Sequence, residues 1–196
     1  MTWLAPVTLG GRHGSLVPLG PQHAGALAAA IADGELHRLW YTSVPAPDAV
    51  DAAIAELLRQ RDLGTVLPFA VLDADGTPVG MTRLMQLDPV HKRLEIGGTW
   101  YARRTQRTAL NTECKRLLLD HAFEANDCIA VEFRTHRLNT QSRRAIERLG
   151  AQLDGVLRAH QRTADGNLRD TAVYSITAAE WPTVKAHLIW QLARPR

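Results

Sequence analysis

One stretch, Glu95 to Phe123, constrains the fold more than any other part of the chain. It begins as a short strand, Leu94 to Tyr101, and crosses a basic, polar loop, Ala102 to Thr108. The next segment is predicted to be an amphipathic helix, because one face carries residues at three- and four-residue spacing: Leu110, Cys114, Leu117, Leu118, His121 and Ala122. A strand that enters a helix through such a loop directs free backbone N–H groups and the positive helix end at one point. The stretch therefore predicts an anion-binding site.

Length and composition favour a single globular domain, residues 1–196, in the cytoplasm. The chain is 45% hydrophobic and 22% charged, and no apolar run approaches the roughly 20 residues of a membrane span. The first residues lack a basic segment, so no signal peptide is expected. Cys114 and Cys128 are predicted to be buried thiols, and no metal site is expected because zinc-ligand spacing is absent. The net charge of +3 favours anionic partners only weakly.

The remaining elements are predicted from alternation, helical spacing and turn residues. The predicted strands are a hairpin within Val7–Leu19, a second hairpin of Val66–Leu72 and Pro78–Leu87, Arg93–Tyr101, Cys128–Thr135, Ala151–Gln161 and Arg169–Thr177. The predicted helices are Pro21–Ala32, Asp48–Leu63 with Asp48 as its cap, the central helix to about Glu124, Thr140–Leu149, and a C-terminal helix from about Trp181. This order predicts an α/β protein of the α+β type, with a mostly antiparallel mixed sheet and helices on both faces.

Five motifs follow one another between Leu67 and Ile176. They are LPFAV with VG in the second hairpin, EIGGTW from Glu95, QRTALNTE from Gln106, N-x-x-S-x-x-A-I-x-x-L-G from Asn139, and RDTAVYSI from Arg169. In this order the chain resembles N-acetyltransferases of the GNAT superfamily, in the group similar to RimJ and RimL. The resemblance implies the GNAT fold, with about seven strands splayed at the centre of the sheet. It also implies acetyl-CoA as cosubstrate and no metal.

The coenzyme site follows from the same resemblance. It implies a pyrophosphate held mostly by backbone N–H groups of the loop, and a pantetheine arm paired with the strand. The residues expected to bind the coenzyme are Gly98, Trp100, Tyr101, Gln106, Arg107, Thr108, Ala109, Leu110, Asn111, Thr112, Asn139 and Ser142. Members of the family usually have glycine where this chain has Ala109 and Asn111, because the backbone approaches the phosphate closely. Without the other motifs, a solvated basic loop is the alternative.

Acetyl transfer to an amine requires a base, an oxyanion donor and an acid for the leaving thiolate. Glu95 lies eleven positions before Gln106, the offset at which some family members place the base. Its alternative is a solvated carboxylate paired with Lys92 or Arg93. Glu132 is the rival base, with an exposed or cross-strand ion pair as its alternative.

Ser142 is the candidate acid. Many members of the family have a tyrosine where this chain has Ile146, whereas RimL-like members have a serine at the position of Ser142. Its alternative is a hydrogen bond to local backbone. Asn139 is expected to bind pantetheine, to cap a helix, or both. The backbone N–H of Trp100 or Tyr101 is the expected oxyanion donor.

The acceptor pocket is predicted less sharply. Aromatic residues near the cleft can line it or belong to the core, and lone histidines serve as weak base candidates. The candidate residues are Trp40, Tyr41, Trp100, His136 and His160, together with Glu95.

Three functions are compatible with the sequence. The first is an acetyl-CoA-dependent N-acetyltransferase that acts on a small amine, a peptide or a protein N-terminus by direct transfer in a ternary complex. The second is a non-catalytic acyl-CoA-binding regulatory module, suggested by the missing loop glycines. Binding to nucleic acid ranks last because aromatic and basic residues are not interleaved. No membrane partner is expected, and a homodimer is left open.

Overall fold

The computed structural model describes residues 3–163 and 165–194. Its centre is one eight-stranded sheet with the strand order β1-β2-β3-β4-β5-β6-β8-β7. The strands are β1 Leu9–Gly10, β2 Gly14–Pro18, β3 Leu67–Asp73, β4 Pro78–Asp88, β5 Arg93–Tyr101, β6 Ala130–His136, β7 Gln152–Arg162 and β8 Leu168–Thr177. The helices are α1 Ala24–Ala32, α2 Val50–Asp62, α3 Leu110–Asp120, α4 Thr140–Glu147 and α5 Trp181–Ala193. The mostly antiparallel mixed sheet is confirmed, and the two-residue β1 brings the strand count to eight.

The sheet contains one parallel pair among the described residues, formed by β5 and β6. Only three positions pair, Arg93 with Ala130, Leu94 with Val131 and Glu95 with Glu132. Beyond Glu95, β5 stays paired with β4, and β6 stays paired with β8. The two central strands therefore separate, and a gap opens between their carboxyl-terminal halves.

The helix α3 carries the apolar face that the sequence predicts. Leu110, Cys114, Leu117 and Leu118 are buried, and a turn of π-helix, His121–Ala125, extends the helix at its end. Both cysteines are buried free thiols, as predicted. Apolar burial of this kind stabilises a helix more than its intrinsic propensity does.

The helix α5 is held against the end of α3. Phe123 stacks on Trp181 with 5.3 Å between ring centroids. The Trp181 indole N–H donates to Glu124 at 2.9 Å, and Lys185 donates to the same carboxylate at 2.6 Å. None of the described helices combines the length and apolar character that crossing a membrane requires.

The prediction that Asp48 caps the second helix is wrong. A single turn of 3₁₀ helix, Pro47–Ala49, precedes α2, and the cap position is occupied by Ala49 without a side-chain hydrogen bond. Proline at the start of that turn already has the required φ, so the chain enters the helix without a side-chain cap.

Lys115 is a buried cation on α3, with 5% of its surface exposed. Its ammonium donates to Thr99 Oγ1 at 2.5 Å and to Thr82 Oγ1 at 3.3 Å. The described residues supply no carboxylate within ion-pair distance. Burial therefore lowers the pKa of Lys115 to about 7, because a charged amine without a counter-ion is disfavoured there.

We expect Lys115→Met to raise the free energy of unfolding at pH 7 by about 1–3 kcal/mol. The folded pKa is depressed, so the unfolded chain binds more protons above pH 7 and the wild type gains stability as pH rises. The difference between variant and wild type should therefore shrink from pH 7 to pH 9 in urea titrations. Lys185→Met is the control, and its difference should stay constant over this range because ion pairs raise the pKa of Lys185. A pH-independent Lys115→Met effect would contradict the burial argument.

Candidate active site

The gap between β5 and β6 lies at one edge of the sheet, where two helices begin. Each of these parallel strands leads into a helix, β5 into α3 and β6 into α4. The carboxyl ends of adjacent parallel strands lie at the same edge, so both helix N-termini lie beside the gap. A helix N-terminus presents unpaired N–H groups and a positive dipole end. The arrangement therefore suits an anionic ligand that extends into the gap.

The end of β5 presents a free backbone edge to this gap. The amide of Ala102 donates to the carbonyl of Val79 at 2.7 Å, so it points toward β4. Successive strand residues point their N–H groups to opposite sides, and the amide of Tyr101 therefore points toward the gap. The Gln106 side chain donates to the Tyr101 carbonyl at 3.0 Å, which fixes the loop against the strand.

The loop before α3 reaches the helix without the two family glycines. Ala109 has φ −68° and ψ −22°, and Asn111 lies inside the helix, so neither position requires the conformational freedom of glycine. The left-handed conformation falls instead on Arg107, with φ 61°. Thr108 Oγ1 donates to the Thr105 carbonyl and accepts from the Leu110 amide. The loop backbone is thus set by its own hydrogen bonds.

The side chains of this loop differ in exposure. Arg107 and Thr108 are exposed, Gln106, Ala109 and Asn111 are half-buried, and Leu110 and Thr112 are buried. The Leu110 side chain belongs to the core and faces away from a ligand in the loop.

Glu95 lies at the last position where β5 pairs with β6. It is buried, with 6% of its surface exposed. One carboxylate oxygen lies 3.7 Å from Arg134 Nε. Burial, reinforced by the charge of Glu132, raises the pKa of Glu95 to about 7 in spite of the neighbouring arginines. The alternative of a solvated carboxylate paired with Arg93 or Lys92 is wrong.

Glu132 has a different environment from Glu95, although the two residues pair across the strands. It accepts from Arg93 at 2.6 Å and from Arg134 at 2.8 Å. A cavity of about 260 Å³ opens beside these three side chains. Two guanidinium groups thus bind the Glu132 carboxylate, which matches its ion-pair alternative.

Asn139 caps α4, because its side-chain oxygen accepts the backbone N–H of Ser142 at 3.0 Å. Asn139 is buried and Ser142 is half-buried. The helix is fixed on the sheet through Tyr174, whose hydroxyl donates to Glu147 and accepts from Arg143, both at 2.8 Å. Ser142 is therefore presented at the start of a well-anchored helix beside the gap.

The aromatic residues near the gap divide into two groups. Trp100 is buried in the core. Trp40 is 61% exposed, and its ring centroid lies 5.0 Å from that of His136 and 5.5 Å from that of Tyr41.

The two candidate histidine bases are both engaged in hydrogen bonds. His136 Nδ1 accepts the Leu138 amide at 3.0 Å, and burial is the main cause that lowers the pKa of His136. Its free nitrogen is therefore an N–H donor rather than a base. His160 is exposed, with Nδ1 3.2 Å from Thr171 Oγ1.

The sequence reasoning did not select Arg83 and Arg169. Both lie on the same side of the sheet as Glu95. Register pairs Arg83 with Gly97, two residues after Glu95. Glu95 pairs with Glu132, and His136, four residues after Glu132, pairs with Thr171, two residues after Arg169. The charges of both arginines act on Glu95. They belong to strands that are far apart in sequence, so only the strand register brings them together.

Comparison with known proteins gives one family. The Acetyltransferase (GNAT) domain family matches residues 15–152. The provisionally named ribosomal N-acetyltransferase YdaF of Bacillus subtilis (strain 168) is 32% identical over 107 residues, which span 55% of this chain and 57% of that protein. The match therefore covers little more than half of YdaF.

Solved structures extend the similarity over nearly the whole chain. A GCN5-related N-acetyltransferase from Brucella melitensis has a TM-score of 0.87 and 30% identity, covering 97% of this chain and 87% of that chain. RimJ of Mycobacterium smegmatis, in complex with CoA-disulfide, has a TM-score of 0.81 and 23% identity, covering 95% of each chain. At that identity RimJ shows the shared fold.

We expect Glu95→Gln to raise the free energy of unfolding at pH 8 by about 1–3 kcal/mol, because it removes a buried charge. The folded pKa of Glu95 is raised, so its charged form destabilises the wild type fully above pH 7 and not below pH 4.5. The gain should therefore shrink when urea titrations are repeated toward pH 5. Glu132→Gln is the matched control and should destabilise the protein, since it leaves Arg93 and Arg134 without their partner. A destabilised Glu95→Gln at pH 8 would contradict the argument.

Proposed function

Because this chain belongs to the Acetyltransferase (GNAT) domain family, we propose that it transfers the acetyl group of acetyl-CoA to a primary amine. The names of YdaF and RimJ support the RimJ/RimL-like group. The observation that carries the proposal is the buried Glu95, with a pKa near 7, at the point where β5 and β6 separate. Transfer is direct, within a ternary complex of enzyme, acetyl-CoA and amine.

The coenzyme would lie along β5 with its pyrophosphate at the start of α3. Backbone amides of the loop from Gln106 to Asn111 would hold the pyrophosphate, apart from those of Gln106 and Leu110, which donate within the loop. Arg103 and Arg107 add positive potential. The free edge of β5 would pair with the pantetheine arm, and Asn139 lies at the facing helix start. The CoA-disulfide bound to the structurally similar RimJ supports this ligand class.

Glu95 would act as the base. Burial raises the pKa of Glu95 to about 7, which is the range in which a general base is most effective. It removes a proton from the ammonium form of the acceptor, directly or through one water molecule. The free amine nitrogen then attacks the thioester carbonyl carbon.

The remaining steps involve the backbone and α4. The Tyr101 amide would donate to the oxyanion of the tetrahedral intermediate. When the C–S bond breaks, the Ser142 hydroxyl would give its proton to the leaving thiolate. The nitrogen of the new amide loses its extra proton, and Ser142 regains a proton from it through solvent. Of the two oxyanion donors expected from the sequence, strand alternation favours Tyr101 over Trp100.

The cysteines support direct transfer over an acyl-enzyme. Burial raises the pKa of Cys114 to about 12 and that of Cys128 to about 11. Both therefore stay protonated at neutral pH, and the thiolate is the nucleophilic form.

The acceptor is a small amine, a peptide or a protein N-terminus. The name of YdaF supports a protein acceptor. The cytoplasmic location and a homodimer remain predictions. The non-catalytic acyl-CoA-binding module is the competing function, and it is distinguished by ligand binding without turnover.

We expect saturating acetyl-CoA, at about 100 times its Kd, to stabilise the protein by about 2.7 kcal/mol, or roughly 5–10 °C in Tm. Asn111→Asp should abolish this stabilisation, because a carboxylate at the start of α3 repels the pyrophosphate. The same change should leave the ligand-free Tm unchanged or higher, because an acidic residue suits a helix N-terminus. Asn111→Gly, which restores the family residue, should keep the stabilisation. Wild-type protein that acetyl-CoA does not stabilise would contradict the coenzyme assignment.

The base role of Glu95 is tested by the pH dependence of thiol release. In the wild type, kcat/KM should rise with pH through an inflection near 7, as Glu95 loses its proton. Glu95→Gln should lower kcat/KM by about 10²–10⁴-fold and remove the inflection. Glu132→Gln serves as the matched control and should retain the inflection. An unchanged profile in Glu95→Gln would remove Glu95 from this role.

A further inference from the structure

We propose that the acceptor carries a carboxylate within a few bonds of its reactive amine, and that Arg83 and Arg169 bind this carboxylate. The inference rests on the proposed function and specifies its substrate class. It derives from two partly buried guanidinium groups whose Nε–H groups have no hydrogen-bond acceptor within the described part of the chain.

Arg83 lies against the reacting end of β5. A Cβ placed on Gly98 would lie 2.7 Å from Arg83 Nε, and one placed on Gly97 would lie 2.8 Å from Glu95 Oε1. The guanidinium group and the carboxylate of the proposed base therefore contact consecutive glycines. Arg83 Nε is buried, and no atom of the described residues accepts a hydrogen bond from it.

Arg169 lies on the same face of the sheet as Glu95, on the β6 side of the gap. It lies on β8, two residues before Thr171, which pairs with His136. Its Nε is also buried without an acceptor, and its charge acts on both Glu95 and His136. Arg169 thus faces the gap from the strand opposite Arg83.

The neighbouring acid of Arg169 is already engaged. Asp170 accepts from Arg137 at 3.1 Å and from the Ala159 amide at 2.9 Å, and it lies 3.7 Å from Arg158. Asp170 therefore does not accept a hydrogen bond from Arg169 Nε.

The charges on this face of the sheet do not balance. Register and alternation place four arginines there, Arg83, Arg93, Arg134 and Arg169, together with the carboxylates of Glu95 and Glu132. Asp154 lines the same cavity as Arg93 and Arg134, so three carboxylates face four arginines. Glu132 is shared by Arg93 and Arg134. The remaining positive charge therefore lies at Arg83 and Arg169, and Glu95 is the one carboxylate among the described residues whose charge acts on both.

A carboxylate is the group that these donors fit. A guanidinium presents a planar fork of N–H donors that matches two carboxylate oxygens. Buried donors without acceptors are rare in folded proteins, so a ligand that supplies the acceptors explains both. Because Glu95 shares this face with both arginines, the carboxylate and the amine must be close in the acceptor. A free α-amino acid and a chain that begins with Asp or Glu both meet this condition.

The test compares acceptors in which a carboxylate is replaced by a carboxamide, with rates expressed per unprotonated amine because the replacement also lowers the pKa of the amine. One pair is serine and serinamide, and the other is a tetrapeptide amide that begins with Asp or with Asn. In the wild type, the carboxylate member of at least one pair should be preferred by about tenfold or more in kcat/KM. The pair that shows the preference identifies the source. Equal rates within both pairs would overturn the proposal and leave the acetyltransferase function standing.

Variants assign the preference to residues. Arg83→Gln and Arg169→Gln should each reduce the ratio of carboxylate to carboxamide rates toward one, with acetyl-CoA stabilisation unchanged. Arg59→Gln, an exposed arginine paired with Glu56 on α2, is the control and should keep the ratio. A variant that slows both members of a pair equally would overturn the proposal, because it would then act on the reacting groups.

Stability separates ligand binding from a structural role. Arg83→Gln and Arg169→Gln should leave the free energy of unfolding unchanged or higher, because each removes a partly buried charge without a partner. A marked loss of stability would indicate a structural arginine and overturn the proposal.

Failure of the proposed function has its own signature, which is no stabilisation by acetyl-CoA and no thiol release with any amine. The carboxylate site would then be tested by ligand binding alone. The shift in Tm would be compared between serine and serinamide, and between the Asp and the Asn peptide. Stabilisation by the carboxylate member that is lost in Arg83→Gln would uphold the site. Equal shifts within each pair would overturn it.

Discussion

The active-site region depends on how briefly β5 and β6 pair. Three paired positions, ending at Glu95 and Glu132, are enough to align the two strands in parallel and bring two helix starts to one edge. Longer pairing would close the gap and consume the backbone edge of β5, including the amide of Tyr101. Because β4 and β8 hold the outer edges of the two strands, the separation does not leave the sheet unsupported. The gap is therefore a consequence of strand register.

The same register places two carboxylates side by side with different partners. Glu132 is neutralised by Arg93 and Arg134, and this leaves Glu95 buried with only a longer contact to Arg134. Burial of a weakly paired carboxylate destabilises the fold but raises its pKa into the range that proton transfer needs. Arg83 and Arg169 are a second example. Their Nε–H groups are buried without a hydrogen-bond acceptor, and they lie on the face of the sheet where the acceptor substrate would bind. The same buried charges therefore destabilise the fold locally and supply the groups that the proposed reaction needs.

Most helices and strands and the family could be predicted from the sequence. The residues of the proposed acceptor site could not. Strands such as Arg93–Tyr101 and the apolar face of α3 follow from periodicity, which survives in any tertiary context, and the predicted GNAT membership is confirmed. The cap at Asp48 was wrong, since a 3₁₀ turn replaced it. Arg169 begins the motif RDTAVYSI, but no role could be assigned to it or to Arg83, because only the order of strands β4, β5, β6 and β8 brings them to one face. No local pattern marks a residue whose importance lies in lacking a partner.

The loop before α3 separates two reasons for a family glycine. Backbone conformation is one, and it does not apply, because Ala109 is helical and Asn111 lies within the helix, while the left-handed position belongs to Arg107. The other reason is space for the phosphate beside the backbone, and this reason still applies to Ala109 and Asn111. A residue that meets only the ligand can change without cost to the fold, whereas a residue in a left-handed conformation cannot. The departure from the family at Ala109 and Asn111 leaves the strand–loop–helix intact, and we expect its effect to fall on coenzyme affinity.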